Sequence, residues 1–307
     1  MTKVINYPFA FFEGEIKPFE LARVNIMTNA LQYGTAVFGG IRGYLAQDSK
    51  NINILRLTDH YQRFLNSLKI INKSIRYDKR KLMEITLELA RKNKPETDCY
   101  FRPFAYASCL DFSPDLTEVN FDFAMYAVKL GEYLPINKGL KLVVSSWTRL
   151  SDNVLPPRAK ITGGYINSSM ARTDAVRVGC DDALMMTSDG HIAEGSAANF
   201  FLVRDGQLIT PPSYGDILEG ITRRSIITVA GDLGIPVVER PIDKTEVYVA
   251  DEAFLAGTVV QVAWISEVDG RVIGEGKIGP ISAKIQKLFF NIVRGREKKY
   301  ASWLTKV

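Results

Sequence analysis

Lys160 stands in the run Pro156-Pro157-Arg158-Ala159-Lys160-Ile161-Thr162-Gly163-Gly164-Tyr165, a primary amine followed by small residues and then a phenol. An amine of this kind can attack the aldehyde of a bound cofactor, and glycines beside it let backbone approach a ligand closely. Tyr165, five residues on, suits a hydrogen bond to a phenolate-like oxygen. Glu194 lies in Glu194-Gly195-Ser196-Ala197-Ala198-Asn199-Phe200-Phe201, just past an Asp189-Gly190 turn. A carboxylate there can keep a pyridine-type ring nitrogen protonated, the state in which such a ring accepts electrons. Gly220-Ile221-Thr222 opens a helix whose exposed N–H groups suit a phosphate. Gly257-Thr258 ends an apolar strand and offers a second amide and hydroxyl, and Arg63 offers a cation to a dianion. Taken singly, each has an ordinary reading: a loop lysine, a strand glutamate facing water, a capped helix, a strand-end turn, a solvated arginine.

Composition removes several other chemistries. With only His60 and His191, a histidine-rich zinc site is not expected, and a serine or cysteine hydrolase lacks its usual base. Cys99, Cys109 and Cys180 form no Cys-x-x-Cys pair and no disulfide framework. The net charge is +5 over 307 residues, and the basic runs at 79–81, 91–94 and 294–299 flank or end helical segments. They read as solvated surface, so no nucleic-acid partner is expected. No apolar run approaches the roughly 20 residues of a membrane helix. The amino terminus carries no signal-peptide pattern, and the expected location is the cytoplasm.

The elements that must position these residues follow from periodicity. Residues 36–44 and 52–56 read as strands, and Thr58 as the N-cap of a helix with Tyr61, Phe64, Leu65 and Leu68 on one face. A second helix starts near Asp78, buries Leu82, Ile85 and Leu89, and ends before Pro95. Residues 99–108 and 121–128 return to strand character. The Gly/Pro/Asn-rich stretch 129–139 marks a linker between a small domain (1–128) and a larger one (140–307). Beyond it, Asp189-Gly190, Asp205-Gly206 and Asp269-Gly270 signal hairpins, with residues 192–203 as one strand. Helices begin near Gly220 and after Pro280. Antiparallel runs with a few helices between them argue an α+β fold, not a doubly wound parallel sheet.

The combination carries more than its parts. Glu194, Ser196, Asn199, Phe200 and Phe201, then Leu208 and Thr210, then Leu218, Gly220, Ile221 and Arg223 resemble the signature of the class IV aminotransferases, the fold-type IV pyridoxal-phosphate enzymes. End to end, the chain is similar to branched-chain amino-acid aminotransferases: residues 31–42, His60-Tyr61-Gln62-Arg63, Tyr100-Phe101-Arg102-Pro103, 143–147, 250–258 and 274–280 all match that family's segments.

The resemblance implies a two-domain α+β enzyme, a small α/β domain beside a larger one built on an antiparallel barrel-like core, with pyridoxal 5'-phosphate as cofactor. It implies Lys160 as the Schiff-base lysine, Tyr165 on the cofactor's 3'-oxygen, Glu194 on the pyridine nitrogen and Leu218 against the ring. Arg63, Ile221, Thr222 and Thr258 would take the phosphate. Tyr33, Phe38 and Tyr133 would line the side-chain pocket, while Tyr100, Arg102 and the backbone at Thr258 and Val259 would serve the substrate carboxylate. The implied reaction moves the amino group between Leu, Ile or Val and 2-oxoglutarate by a ping-pong route. The family's active site lies between two domains and borrows from a partner subunit, so a homodimer or higher homo-oligomer is implied.

Four places depart from the family pattern. Gly39 replaces a usual glutamate, Leu130 a frequent tryptophan, Ala198 a frequent glutamate, and the segment 109–115 the usual glycine-rich loop. They raise the alternative of shifted specificity, toward a D-amino acid or an (R)-primary amine. A binding protein that kept only the scaffold is a further alternative. It would be expected to have lost Lys160 or Glu194, and both are present.

Overall fold

The computed structural model describes residues 5–48, 50–131 and 137–307. The chain divides into two compact units: Met1–Gly131 with Ala159–Gly164 and Asn291–Val307, and Glu132–Arg158 with Tyr165–Phe290. The division differs from one cut at a linker, because two later stretches return to the first unit. One of them is the short loop that carries Lys160. Of the expected linker, residues 132–136, and with them Tyr133, lie outside the described residues.

In the first unit, strands run in the order Leu304–Lys306, Ile52–Leu55, Ile41–Leu45, Cys99–Ala107, Phe121–Lys129, Phe9–Phe12, Glu15–Pro18. Every pairing among them is antiparallel. Ala36–Phe38 adds to the end of Cys99–Ala107. The strand expected over 36–44 is therefore two, broken at Gly39-Gly40. At the break the backbone passes close to Tyr100, where a Cβ on Gly40 would meet the phenol hydroxyl.

Helices Leu57–Ile70 and Lys79–Asn93 supply Tyr61, Phe64, Leu68, Leu82, Ile85 and Leu89 to one core with Val37, Ile41, Phe101, Phe123 and Met125. Each such burial contributes roughly 1.5–3 kcal/mol. The second helix starts where the sequence places it, and Asp78 caps it, accepting from the Lys81 N–H at 2.8 Å. Thr58 does not cap the first. Arg56, in the left-handed region at φ 47°, takes that position, and Thr58 lies in the first turn with its hydroxyl toward the Met83 sulfur at 3.6 Å.

The second unit is built on a closed ring of six strands: Leu140–Thr148, Asp182–Met186, Ile192–Gly195, Asn199–Arg204, Glu252–Gly257 and Gln261–Val268, which returns to Leu140–Thr148. The α+β expectation with a barrel-like core holds. Four junctions are antiparallel, while Leu140–Thr148 runs parallel to both of its neighbours. One parallel junction needs a long crossover, and helix Tyr165–Arg177 lies within that connection and packs Ala171 and Ala175 against Ala183 and Met185. The strand expected over 192–203 is two, interrupted at residues 196–198 so that the ring can close. Asp205-Gly206 and Asp269-Gly270 have positive φ at both residues, as their hairpins require.

Candidate active site

In the first unit, the lysine loop is strapped to strand Ala36–Phe38 and to helix Leu57–Ile70. The Phe38 N–H donates to the Lys160 carbonyl at 2.9 Å, and the Thr162 N–H to the Ala36 carbonyl at 2.8 Å. The Lys160 N–H donates to Ser67 Oγ at 3.1 Å, and that hydroxyl donates to the Arg63 carbonyl at 2.9 Å. Gly34, at φ 67°, lies against Gly163: a Cβ on Gly34 would sit 2.7 Å from the Gly163 Cα. The small residues beside the lysine thus let two backbones meet.

This arrangement leaves the Lys160 side chain half-buried, its Nζ 4.8 Å from the centre of the Phe38 ring. The Arg102 guanidinium lies 4.7 Å from the same ring and 5.0 Å from that of Tyr100. Burial pushes the Tyr100 phenol above its ordinary range, and the charges of Arg102 and Arg63 oppose that shift. Lys160, Phe38, Tyr100, Arg102 and Arg63 therefore form one neighbourhood. Tyr33 differs: it is exposed, and its hydroxyl donates to the Phe112 carbonyl.

In the second unit, Glu194 is buried at the ring's closing pair, opposite Asn199. Arg149 Nε donates to its Oε1 at 2.8 Å, Asn199 Nδ2 to its Oε2 at 3.0 Å, and the Leu218 N–H lies 3.4 Å from both oxygens. Each of these partners is an N–H donor, so the geometry is that of an ionised, accepting carboxylate. Asn199 also donates to the Leu218 carbonyl at 2.9 Å, so Leu218 is held through both its N–H and its carbonyl. Gly220 leaves room for that amide, since a Cβ there would fall on Asn199 Oδ1.

Helix Ile221–Asp232 then begins with no side chain capping it, and with Ile221 and Thr222 buried. It packs on strand Glu252–Gly257, which is followed by half-buried Thr258 and Val259. Uncapped amides, a buried threonine and a second threonine on the neighbouring element are a donor set suited to a phosphate. Tyr165 is the first residue of helix Tyr165–Arg177.

Sequence reasoning singled out neither Arg149 nor Ser67. Arg149 directly follows strand Leu140–Thr148, where one arginine beside Trp147-Thr148 gives no periodic signal. The missing side chain at Gly39 opens no pocket in the direction it would take. Its Cβ would stand 2.6 Å from Pro103 Cγ and 3.8 Å from the Phe64 ring, so that space is filled. Gly39 therefore gives the shifted-specificity alternative no added space.

The class IV amino-transferase model matches residues 36–268. A probable branched-chain-amino-acid aminotransferase of Aquifex aeolicus is 43% identical over 308 residues, covering 100% of this chain and 99% of the relative. Among solved structures, the branched-chain aminotransferase of Thermoproteus uzoniensis with norvaline superposes with a TM-score of 0.93 at 40% identity, over 99% of each chain. The branched-chain amino acid aminotransferase of Thermobaculum terrenum in its PLP form also gives 0.93, at 35% identity and over 98% of each chain. A family match across most of the chain, full-length relatives and close superposition on solved structures lead to one conclusion: the chain belongs to the class IV amino-transferase family.

Proposed function

We propose that the protein transfers the amino group between branched-chain amino acids and 2-oxoglutarate, using pyridoxal 5'-phosphate. The observation that carries this reading is the buried Glu194 carboxylate, surrounded by donors and next to an uncapped helix start. That donor set fits the cofactor's ring nitrogen and its phosphate, and the half-buried amine of Lys160 fits its aldehyde. When bound, the cofactor supplies a carbonyl that accepts an amine and a cationic ring that draws electron density from the substrate Cα.

The chain's own residues do the rest. Lys160 would be the base that takes the substrate Cα proton, its half-buried amine being the group that would hold the cofactor's aldehyde. Glu194 would keep the ring nitrogen protonated, Tyr165 would donate to the 3'-oxygen, and Leu218 would pack on the ring. Arg63, Thr258 and the Ile221 and Thr222 amides hold the phosphate. Tyr100, Arg102 and the backbone at Thr258 and Val259 orient the substrate carboxylate, and Phe38, with Tyr33 and Tyr133, surrounds its side chain.

At least a dimer is part of the proposal. Residues 27–33 are tied to 109–113 through the Thr28–Leu110 bridge and the Tyr33–Phe112 bond. Ile26, 84% exposed, and Phe112, 72% exposed, flank these ties with Leu31 and Leu110 also exposed. Apolar surface of that kind marks an association site. The three free cysteines suit a reducing compartment such as the cytoplasm.

The deciding experiment loads the protein with pyridoxal phosphate, reduces it with borohydride and maps the labelled peptide. Label on Lys160, together with turnover of L-leucine and none of a D-amino acid or (R)-1-phenylethylamine, is expected. Label elsewhere, or turnover confined to the other two amines, would end this reading.

A further inference from the structure

Arg149 is a charged partner of Glu194, and the contacts around it reach further. Its Nε donates to Glu194 Oε1 at 2.8 Å, and its Nη1 lies 3.4 Å from Ser168 Oγ. Its own N–H donates to the Met186 carbonyl at 2.7 Å. Asn167 Nδ2 donates to the Thr148 carbonyl at 3.0 Å, one residue before Arg149. Asn167 and Ser168 lie in the first turn of the helix that begins at Tyr165. The side chains of Arg149 and Glu194 are only 10% and 5% exposed.

A buried ion pair is a poor source of stability, because its desolvation offsets most of the attraction. Its presence therefore calls for another explanation. A buried carboxylate beside a protonated ring nitrogen can end in two ways: the proton stays on the ring, or it crosses to the carboxylate and leaves two neutral groups. Low dielectric favours the neutral outcome. A guanidinium in contact with the far side of the carboxylate favours the ionic one, since it stabilises only the ionised acid.

We infer that Arg149 is a positioning residue that keeps Glu194 ionised against the cofactor's ring nitrogen and ties it to the first turn of the Tyr165 helix. The inference rests on the cofactor reading above. Asn199 and the Leu218 amide orient the same carboxylate but carry no charge, so they cannot substitute for it.

The test compares wild type, Arg149→Met, Arg149→Gln and Arg149→Lys, each loaded with pyridoxal phosphate. Infrared difference spectra report a neutral carboxyl, assigned to Glu194 by its loss on adding Glu194→Gln. Wild type and Arg149→Lys are expected to lack that band, and Met and Gln variants to show it. Gln keeps a hydrogen-bond donor and removes the charge, which separates the two contributions. In the Met and Gln variants kcat should fall by about tenfold or more, equivalent to one pKa unit on the ring, with KM little changed and rescue by Lys.

Uncharged variants without the band and with wild-type kcat overturn the inference. So does a Lys variant as impaired as Met, with the same loss of thermal midpoint, since that is a packing role. A wild-type protein that binds no pyridoxal phosphate sinks the underlying reading instead.

Discussion

Lys160 Nζ stands 4.8 Å from the centre of the Phe38 ring, a ring that also has the Arg102 guanidinium 4.7 Å away. One aromatic side chain therefore faces both the amine proposed to do the chemistry and the cation proposed to meet the substrate. Contacts of this type contribute about 0.5–2 kcal/mol each. Phe38→Leu keeps an apolar side chain in a buried position and removes the π face. We expect kcat/KM for L-leucine to drop by roughly 3–30-fold, the kinetic equivalent of one such contact. Steady-state kinetics check this, and an unchanged kcat/KM refutes it.

Gly34 allows the lysine loop to lie against the first unit's backbone. Alanine there meets the Gly163 Cα at 2.7 Å and must also adopt φ 67°, a region that costs an L-residue about 1–2 kcal/mol. Gly34→Ala is expected to lower the thermal midpoint and to weaken cofactor retention, read by equilibrium dialysis. Gly179→Ala, at φ 82° with open space around it, should carry the backbone cost alone and retain cofactor normally.

Burial raises the carboxyl of Asp182 above its ordinary value, against bonds from the Ser196 hydroxyl and the Ala183 N–H. The folded state therefore holds its proton to a higher pH than the unfolded chain. Stability from this group is fully present below the unfolded value of about 4 and declines as pH rises through the raised folded value. Asp182→Asn removes that dependence. Across a series from about pH 4 to pH 7, wild type should lose thermal midpoint relative to Asp182→Asn; parallel curves contradict the prediction.

Cys99 is fully buried, and burial pushes its thiol up to about 12, with the Asp98 charge adding to the shift. Cys109 and Cys180 are only partly buried. Since the thiolate is the reactive form, a thiol reagent near neutral pH should modify Cys109 or Cys180 in the native protein and reach Cys99 only on unfolding. Peptide mapping of the alkylated protein decides it. Early label on Cys99 would show that its surroundings open readily.

Much of this architecture was legible in residue types and spacing. The helix start at Asp78, the stripe Leu82-Ile85-Leu89 and the Asp-Gly pairs at 205 and 269 carry local signals, and the structure agrees with them. Helix Tyr165–Arg177 carried none, because its buried positions include Asn167 and Ser168 beside two alanines and no apolar stripe forms. The Thr58 cap failed for a tertiary reason. Arg56 is held through its N–H on the Trp303 carbonyl and its guanidinium 3.7 Å from the Trp303 ring, contacts from far along the chain. Lys160 and Glu194 stand out in the sequence through their local motifs, while Arg149 and Ser67 are visible only through the atoms they touch.

The six-stranded ring of the second unit is closed through a single residue pair, Glu194 opposite Asn199. Side chains alternate along a strand, so a slip of one residue at this seam would turn the carboxylate to the wrong side of the wall. In a cylinder closed one residue out of step, the carboxylate proposed to meet the cofactor turns away from Arg149 and Asn199.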